Sequence, residues 1–297
     1  MLILPRMFRR LLFLFLLAAV TAPLHAQLRV QVNIPRRLYM VYEPVIATVT
    51  ITNLAGRDLE LRDDGSTQWF GFQIQSGDDR LVSPRNLDYR LDPLLVPAGQ
   101  TVKRSVNLLE LFPITEFGLY RIKASIHSAE LSRYFTSAPD NIEISEGRLL
   151  WQQTVGVPEG NPGAGSNRVY SLLSFRQPKD NVIYVRVADE DNGVVHCTLP
   201  LGRILYANEP FVELDRDNIL HVLQIIGPKT WAYSKVGVNG EWLGQKTLVE
   251  TKSRPKLGKA ETGVVSVRGG REEVPVVVDA SQGPAPKISD RPPGMPK

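Results

Sequence analysis

An all-β fold is predicted by three observations on this 297-residue chain. Short runs alternate apolar and polar residues with a period of two, as a strand with one buried face does. Clusters of Gly, Pro, Asn and Asp punctuate these runs every ten or so residues. Sustained 3.6-residue periodicity is missing from the first half. Two β domains, the second an antiparallel meander or partial propeller-like repeat, and a disordered C-terminal tail account for the chain.

The first segment sets the expected compartment. Arg6, Arg9 and Arg10 precede an unbroken apolar stretch at 11–20, and Ala26 stands before Gln27 as a cleavage residue, although Leu24 is larger than the ideal there. This is the order of a secretory signal peptide at 1–26. Ten apolar residues fall short of the roughly 20 that span a bilayer as a helix. The expectation is therefore a secreted or periplasmic chain of 271 residues with no membrane span after cleavage.

From Leu28 the strands follow one another. Leu28, Val30, Val32 and Ile34 alternate with polar residues, and 45–51 is rich in β-branched side chains suited to a pleated surface. Residues 69–74, 101–109 and 119–126 are further strands, with turns at 53–58, 76–79 and 97–99. Such spacing reads as a β-sandwich over 27–145.

Tyr42-Glu43-Pro44-Val45, leading into Thr48-Val49-Thr50-Ile51-Thr52-Asn53, resembles the second strand of bacterial immunoglobulin-like domains. Val96-Pro97-Ala98-Gly99-Gln100 and Phe117-Gly118-Leu119-Tyr120-Arg121-Ile122 resemble that family's closing pair of strands. Macroglobulin-type and BsuPI-like proteinase-inhibitor domains share the pattern. The resemblance implies an immunoglobulin-like sandwich and suggests a protease-inhibitor-like module, yet the family's inhibitory loops have no counterpart here.

Residues 146–167 read as linker-rich, because 156–167 holds four Gly and two Pro. A second β domain is expected over 168–250, with two repeat units. Asp180-Asn-Val-Ile-Tyr-Val recurs 37 residues later as Asp217-Asn-Ile-Leu-His-Val, and each copy is followed by a turn and another strand. Blades of propellers repeat at such a period, but a closed ring needs typically four or more of them. Tyr233-Ser234-Lys235 and Asn239-Gly240-Glu241-Trp242 loosely resemble a sialidase-type repeat, without its aspartate-box spacing. A small meander is the plainer reading. Residues 251–297, dominated by Lys, Arg, Gly and Pro, read as a disordered basic tail. Within it 274–278 (Val-Pro-Val-Val-Val) has the makings of an edge strand.

Charge narrows the partners. The formal net charge is +4, but the signal segment carries three Arg and the stretch from Thr251 nine Lys or Arg against five Asp or Glu. Residues 27–250 are therefore near −3, which argues against a nucleic-acid footprint. Cys197 is the single cysteine, so an internal disulfide is excluded; its strand-like surroundings suit a buried small hydrophobe. His196 beside it points to the other face of a strand, which separates the two as a nucleophile and base.

The chemical motifs fail one by one. Gly160-Asn-Pro-Gly-Ala-Gly lacks the Lys-Ser/Thr and the strand–helix context of a phosphate loop. His127, His196 and His221 lie too far apart for a zinc spacing. Asp189-Glu190-Asp191-Asn192-Gly193 misplaces the Gly of a calcium loop and reads as a tight hairpin. Asp63-Asp64 and Asp78-Asp79 sit in turn clusters, where Asp caps its own backbone. Trp231, Tyr233 and Trp242 are either core or an aromatic platform for a sugar or a protein. No catalytic, cofactor or metal residue is assigned. The expectation is a non-catalytic binding or scaffolding protein of the cell envelope, partnered by another envelope protein or polymer. The rival is a glycan-active or carbohydrate-binding protein using the second β domain.

Overall fold

The computed structural model describes residues 27–65, 67–205 and 209–273. The expected signal peptide and the valine run at 274–278 lie outside the described residues. The fold is all-β, and its compact units are Met1–Leu201 and Gly202–Lys297.

In the first unit, β1 (Leu28–Asn33) runs antiparallel to β3 (Ile46–Asn53), with Val30 opposite Ile51. Strand β3 shows why the sequence folds this way. Ala47, Val49 and Ile51 point inward and are buried, while Thr48, Thr50 and Thr52 alternate outward. The buried Asn53 that ends it donates to the carbonyls of Arg57 and Val96 and accepts from Ala55 N–H, which organises the following turn.

Before β3 comes β2 (Leu38–Met40), and after it β4 (Leu59–Leu61), β5 (Phe70–Ser76), β6 (Leu94–Val96) and β7 (Thr101–Asn107). The run expected to be strand through Leu109 stops at Asn107, which caps the single-turn helix α1 (Leu108–Leu111). Strands β8 (Gly118–Ser128), β9 (Arg133–Thr136) and β10 (Asp140–Ser145) complete the sandwich. One sheet has the order β1-β3-β7; the other is β2-β10-β8-β5, with β9 also on β8 and β2 parallel to β10. Their inner faces share two apolar clusters. One centres on Val45, Ala47, Ile74, Ile122 and Ile142, the other on Val49, Ile51, Trp69, Phe70 and Ile126.

The residues expected as linker, 146–167, instead contain β11 (Arg148–Gly156) and the loop joining it to β12 (Asn167–Arg176). With β13 (Asn181–Asp189) and β14 (Val195–Arg203) they form the antiparallel meander β11-β12-β13-β14. The chain divides at Leu201 and not near Ser145, for two physical reasons. Strand β2 is buried on both faces: Tyr39 enters the sandwich core, while Met40 and Leu38 pack on Leu173, Phe175 and Tyr184. A Cβ on Gly147 would come within 2.7 Å of Met40 Cε and 3.2 Å of Leu173 Cβ, so the crossing is tightly packed.

A buried polar hub joins the same layers. Glu43 accepts from Arg36 Nη2 at 2.5 Å, from Met40 N–H at 3.1 Å and from the Tyr184 hydroxyl at 3.0 Å. Burial disfavours the Arg36 cation, but the Glu43 carboxylate more than offsets this and holds the guanidinium above its ordinary range. Burial, reinforced by the Glu43 charge, pushes the Tyr184 phenol up to about 12.

The second unit is another meander: β15 (Phe211–Leu214), β16 (Leu220–Gly227), β17 (Thr230–Val236) and β18 (Trp242–Val249). The two copies of the Asp-Asn-apolar run become β13 and β16, each opening a hairpin. Strand β13 is third in its sheet and β16 second, so a hairpin is echoed rather than a four-stranded repeat.

The tail expected to be disordered from Thr251 is structured as far as Glu273. Strands β19 (Lys256–Lys259) and β20 (Val265–Arg268) form a hairpin whose Leu257 and Val267 pack on Trp231, Leu223 and Leu248. Strand β21 (Arg271–Glu272) then pairs with the end of β18. The composition misled because glycines here make turns. Gly269 and Gly270 have φ of 79° and 70°, and a Cβ on Gly269 would lie 2.9 Å from the Arg254 carbonyl.

Glu43→Ala takes the carboxylate from the half-buried Arg36 guanidinium and the acceptor from the Tyr184 hydroxyl, and costs about 2 kcal/mol, read from urea unfolding. Alkaline stability reports on Tyr184. Its phenol ionises near 10 when unfolded and about 12 when folded, so its contribution is intact below 10 and lost as pH rises through 12. Tyr184→Phe flattens that part of the unfolding profile.

Candidate functional site

In the first unit, a cleft of about 660 Å³ has the sandwich on one side and β14 on the other. That volume falls in the range of small-ligand and peptide sites. Tyr42, Pro44, Arg85, Leu109 and Glu110 line the sandwich side, and residues 193–199 line the other.

Each lining group has a local cause. Tyr42 has φ of 65°, a left-handed conformation that costs a non-glycine residue about 1 kcal/mol or more. The turn that forces it is closed twice, by Glu43 N–H to the Met40 carbonyl at 3.0 Å and by Met40 N–H to the Glu43 carboxylate. The Arg186 guanidinium lies 5.2 Å from the Tyr42 ring centroid, and it donates to the Val41 carbonyl and to Thr198 Oγ1. Asn107 accepts from Val45 N–H and Leu109 N–H while donating to Glu110 at 2.9 Å, fixing helix α1 at the rim. Arg85 is exposed there, with its backbone N–H bonded to the Leu111 carbonyl.

Across the cleft, Asp189 accepts from His196 at 2.8 Å and from Arg168 at 2.6 Å. The His196 hydrogen bond, outweighing desolvation, holds the Asp189 carboxyl below its usual range. His196 is thus engaged with Asp189, and Cys197 beside it is half-buried. The acidic run forms the expected hairpin turn, with Gly193 at φ 68° and Asn192 accepting from Val194 N–H. Strand β14 ends its sheet, and no strand among the described residues pairs with its outer side.

The second unit has a groove of about 560 Å³ lined by Tyr233, Lys235, Leu243, Gly244, Lys246 and Val265, among others. Tyr233 belongs to a chain of polar groups. Its hydroxyl donates to His221 Nδ1 at 2.6 Å, and His221 Nε2–H donates to Asp215 at 3.1 Å. Asp215 also accepts from the Asp217 and Ile219 N–H groups, so the carboxylate closes the turn before β16. Burial, then the Asp215 charge, pushes the Tyr233 phenol upward. A phenol kept protonated is a donor and no nucleophile. Among the described residues Glu272 is the carboxylate that lines the groove, and it is ion-paired to Lys246 at 2.8 Å.

Trp231 is in the core, Tyr233 is half-buried and bonded to His221, and Trp242 is 46% exposed on β18. The three form no common platform. Asp63 accepts from Trp69 N–H and Arg90, and Asp78 from the Ser76 hydroxyl, both turn-capping roles. His127 packs against Tyr134 with ring centroids 4.7 Å apart and the planes tilted by 48°. Among the described residues no three His, Cys, Asp or Glu side chains gather as metal ligands, and no helix is long and apolar enough to cross a membrane. Sequence reasoning did not single out Arg85 or Glu110; the one signal was Asn107 at the end of a polar strand. No protein-family model matches this chain, and comparison with curated proteins finds no match.

Tyr233→Phe leaves His221 Nδ1 without its donor inside the sheet. It lowers stability by about 1 kcal/mol or slightly more, with the far-UV circular dichroism unchanged.

Proposed function

We propose that this chain is an exported, non-catalytic binding or scaffolding protein of the cell envelope. Its first domain is read as an immunoglobulin-like sandwich that takes an extended segment of another envelope protein in the cleft of the first unit. Export is supported by the basic, apolar and small-residue order of 1–26. The immunoglobulin-like reading is supported by the facing orders β1-β3-β7 and β10-β8-β5, which match strands A-B-E and G-F-C of that fold. Tyr120 adds to it: its hydroxyl donates to the Glu116 carbonyl four residues upstream, in the manner of a tyrosine corner.

The observation that carries the binding reading is the outer side of β14, which pairs with no strand among the described residues and forms a wall of the cleft. A strand added there gains main-chain hydrogen bonds, with side-chain selection left to Tyr42, Arg85, Leu109 and Glu110. Tyr42 suits selection because its strained backbone and the Arg186 guanidinium fix its ring in advance.

Photo-crosslinking from position 109 in the native envelope tests this reading. The expected result is a defined partner adduct, with a control at Leu95 on the exposed surface giving none. Arg85→Glu and Tyr42→Ala each weaken capture about tenfold while the melting temperature of Arg85→Glu stays unchanged. Equal labelling from both positions, or a turnover activity abolished by Arg85→Glu, would sink it.

A further inference from the structure

The groove of about 560 Å³ in the second unit lies on one face of β17 and β18, with the β19–β20 hairpin as its other wall. Register fixes what the floor carries. Tyr233 is opposite Lys246 and Lys235 opposite Gly244, so these residues share a face, and Glu272, paired with Leu248, extends it. Lys246 is held by Glu272 at 2.8 Å. Lys235 has no ion pair among the described residues, and its cross-strand neighbours are His221 and Gly244. Asp215 lies behind His221, where the imidazole and two backbone N–H groups already occupy it. Opposite charges paired across a sheet stabilise it, and like charges do the reverse. Two lysines facing a groove with one carboxylate therefore leave a positive charge uncompensated. Gly244 makes the room beside Lys235: nothing lies within 4 Å of the place a Cβ would take, and its φ of 110° disfavours any side chain.

We propose that this groove binds an acidic sugar, a hexuronate unit of an anionic polysaccharide, with its carboxylate on Lys235. Charge complementarity selects an anion, and the mixed walls select its body. Tyr233, fixed by its bond to His221, stands with Leu243, Val265 and Val267 as apolar surface for the CH face of a sugar ring. The Ser266 hydroxyl and the Glu272 carboxylate are hydrogen-bonding groups for its hydroxyls. A bare inorganic anion would leave most of a volume suited to a larger ligand unused. The groove belongs wholly to the second unit, so this inference stands or falls apart from the binding reading of the first unit's cleft.

Titration calorimetry of the full mature chain with trigalacturonate and with neutral galactotriose tests it. Trigalacturonate binds about tenfold more tightly than the neutral sugar, and Lys235→Gln removes about that factor while Lys235→Arg keeps most of it. Lys256→Gln, on the hairpin but outside the groove lining, leaves the affinity unchanged. In amide NMR spectra of the wild type, trigalacturonate shifts Gly244, Ser266 and Gly270, a readout that needs no variant to fold. Equal affinity for the two sugars, equal weakening by Lys256→Gln, or shifts that avoid those amides overturn the proposal. Benzoate binding as tightly as trigalacturonate also overturns it, because the sugar body would then contribute nothing.

Discussion

Much of the first unit depends on one buried carboxylate. Glu43 sits where water cannot solvate it, and an ion there is costly unless donors surround it. Two donors are local, Arg36 and the Met40 N–H; the third is the Tyr184 hydroxyl, 141 residues along the chain on β13. The sandwich supplies the charge and the meander completes its solvation. Pulling them apart would expose Met40, Leu173 and Phe175 and deprive Glu43 of a donor at once. That shared requirement explains why residues 27–201 hold together although they contain two distinct sheet systems. It also sets the cleft, because the turn closed around Glu43 puts Tyr42 in its left-handed conformation at the rim.

The period-two pattern made the fold class legible. Strand β3 was read within two residues of its limits, because alternating burial writes itself into residue type. The hairpin at Asn192-Gly193 was legible for a similar reason: its conformation requires those residues. The organisation above the strand was harder to read. Gly and Pro between 156 and 167 have the same composition in a hairpin loop as in an interdomain linker, and only the partner of β11 distinguishes them. In the same way Gly269 and Gly270 read as low complexity until the Arg254 carbonyl and Pro255 are seen against them.

Side-chain networks were less legible still, for a geometric reason. Asp215, His221 and Tyr233 are six and twelve residues apart, spacings with no meaning along a chain. They meet only because β16 and β17 pair with His221 opposite Lys235, which places Tyr233 diagonally across from the imidazole. The same holds for Asp189, His196 and Arg168. In each trio the carboxylate is occupied by donors, so the polarity is spent on holding strands in register.

What remains to interact is strand edges, and these are not treated alike. Strand β7 carries Lys103 and Arg104 on an exposed edge, the usual protection against unwanted pairing. The outer side of β5 is partly covered, since Val82 N–H bonds the Ile74 carbonyl and Arg80 lies against Ser76. From Val194 to Leu201, β14 and its approach carry no Asp, Glu, Lys or Arg, and Val194 is 53% exposed. An apolar, unguarded edge on an open surface would invite aggregation. Here the sandwich stands opposite it, and Pro200 interrupts the ladder towards its far end. A recess of this kind keeps the edge of another sheet away from β14. The defence that other edges get from charge, β14 gets from its neighbour's shape.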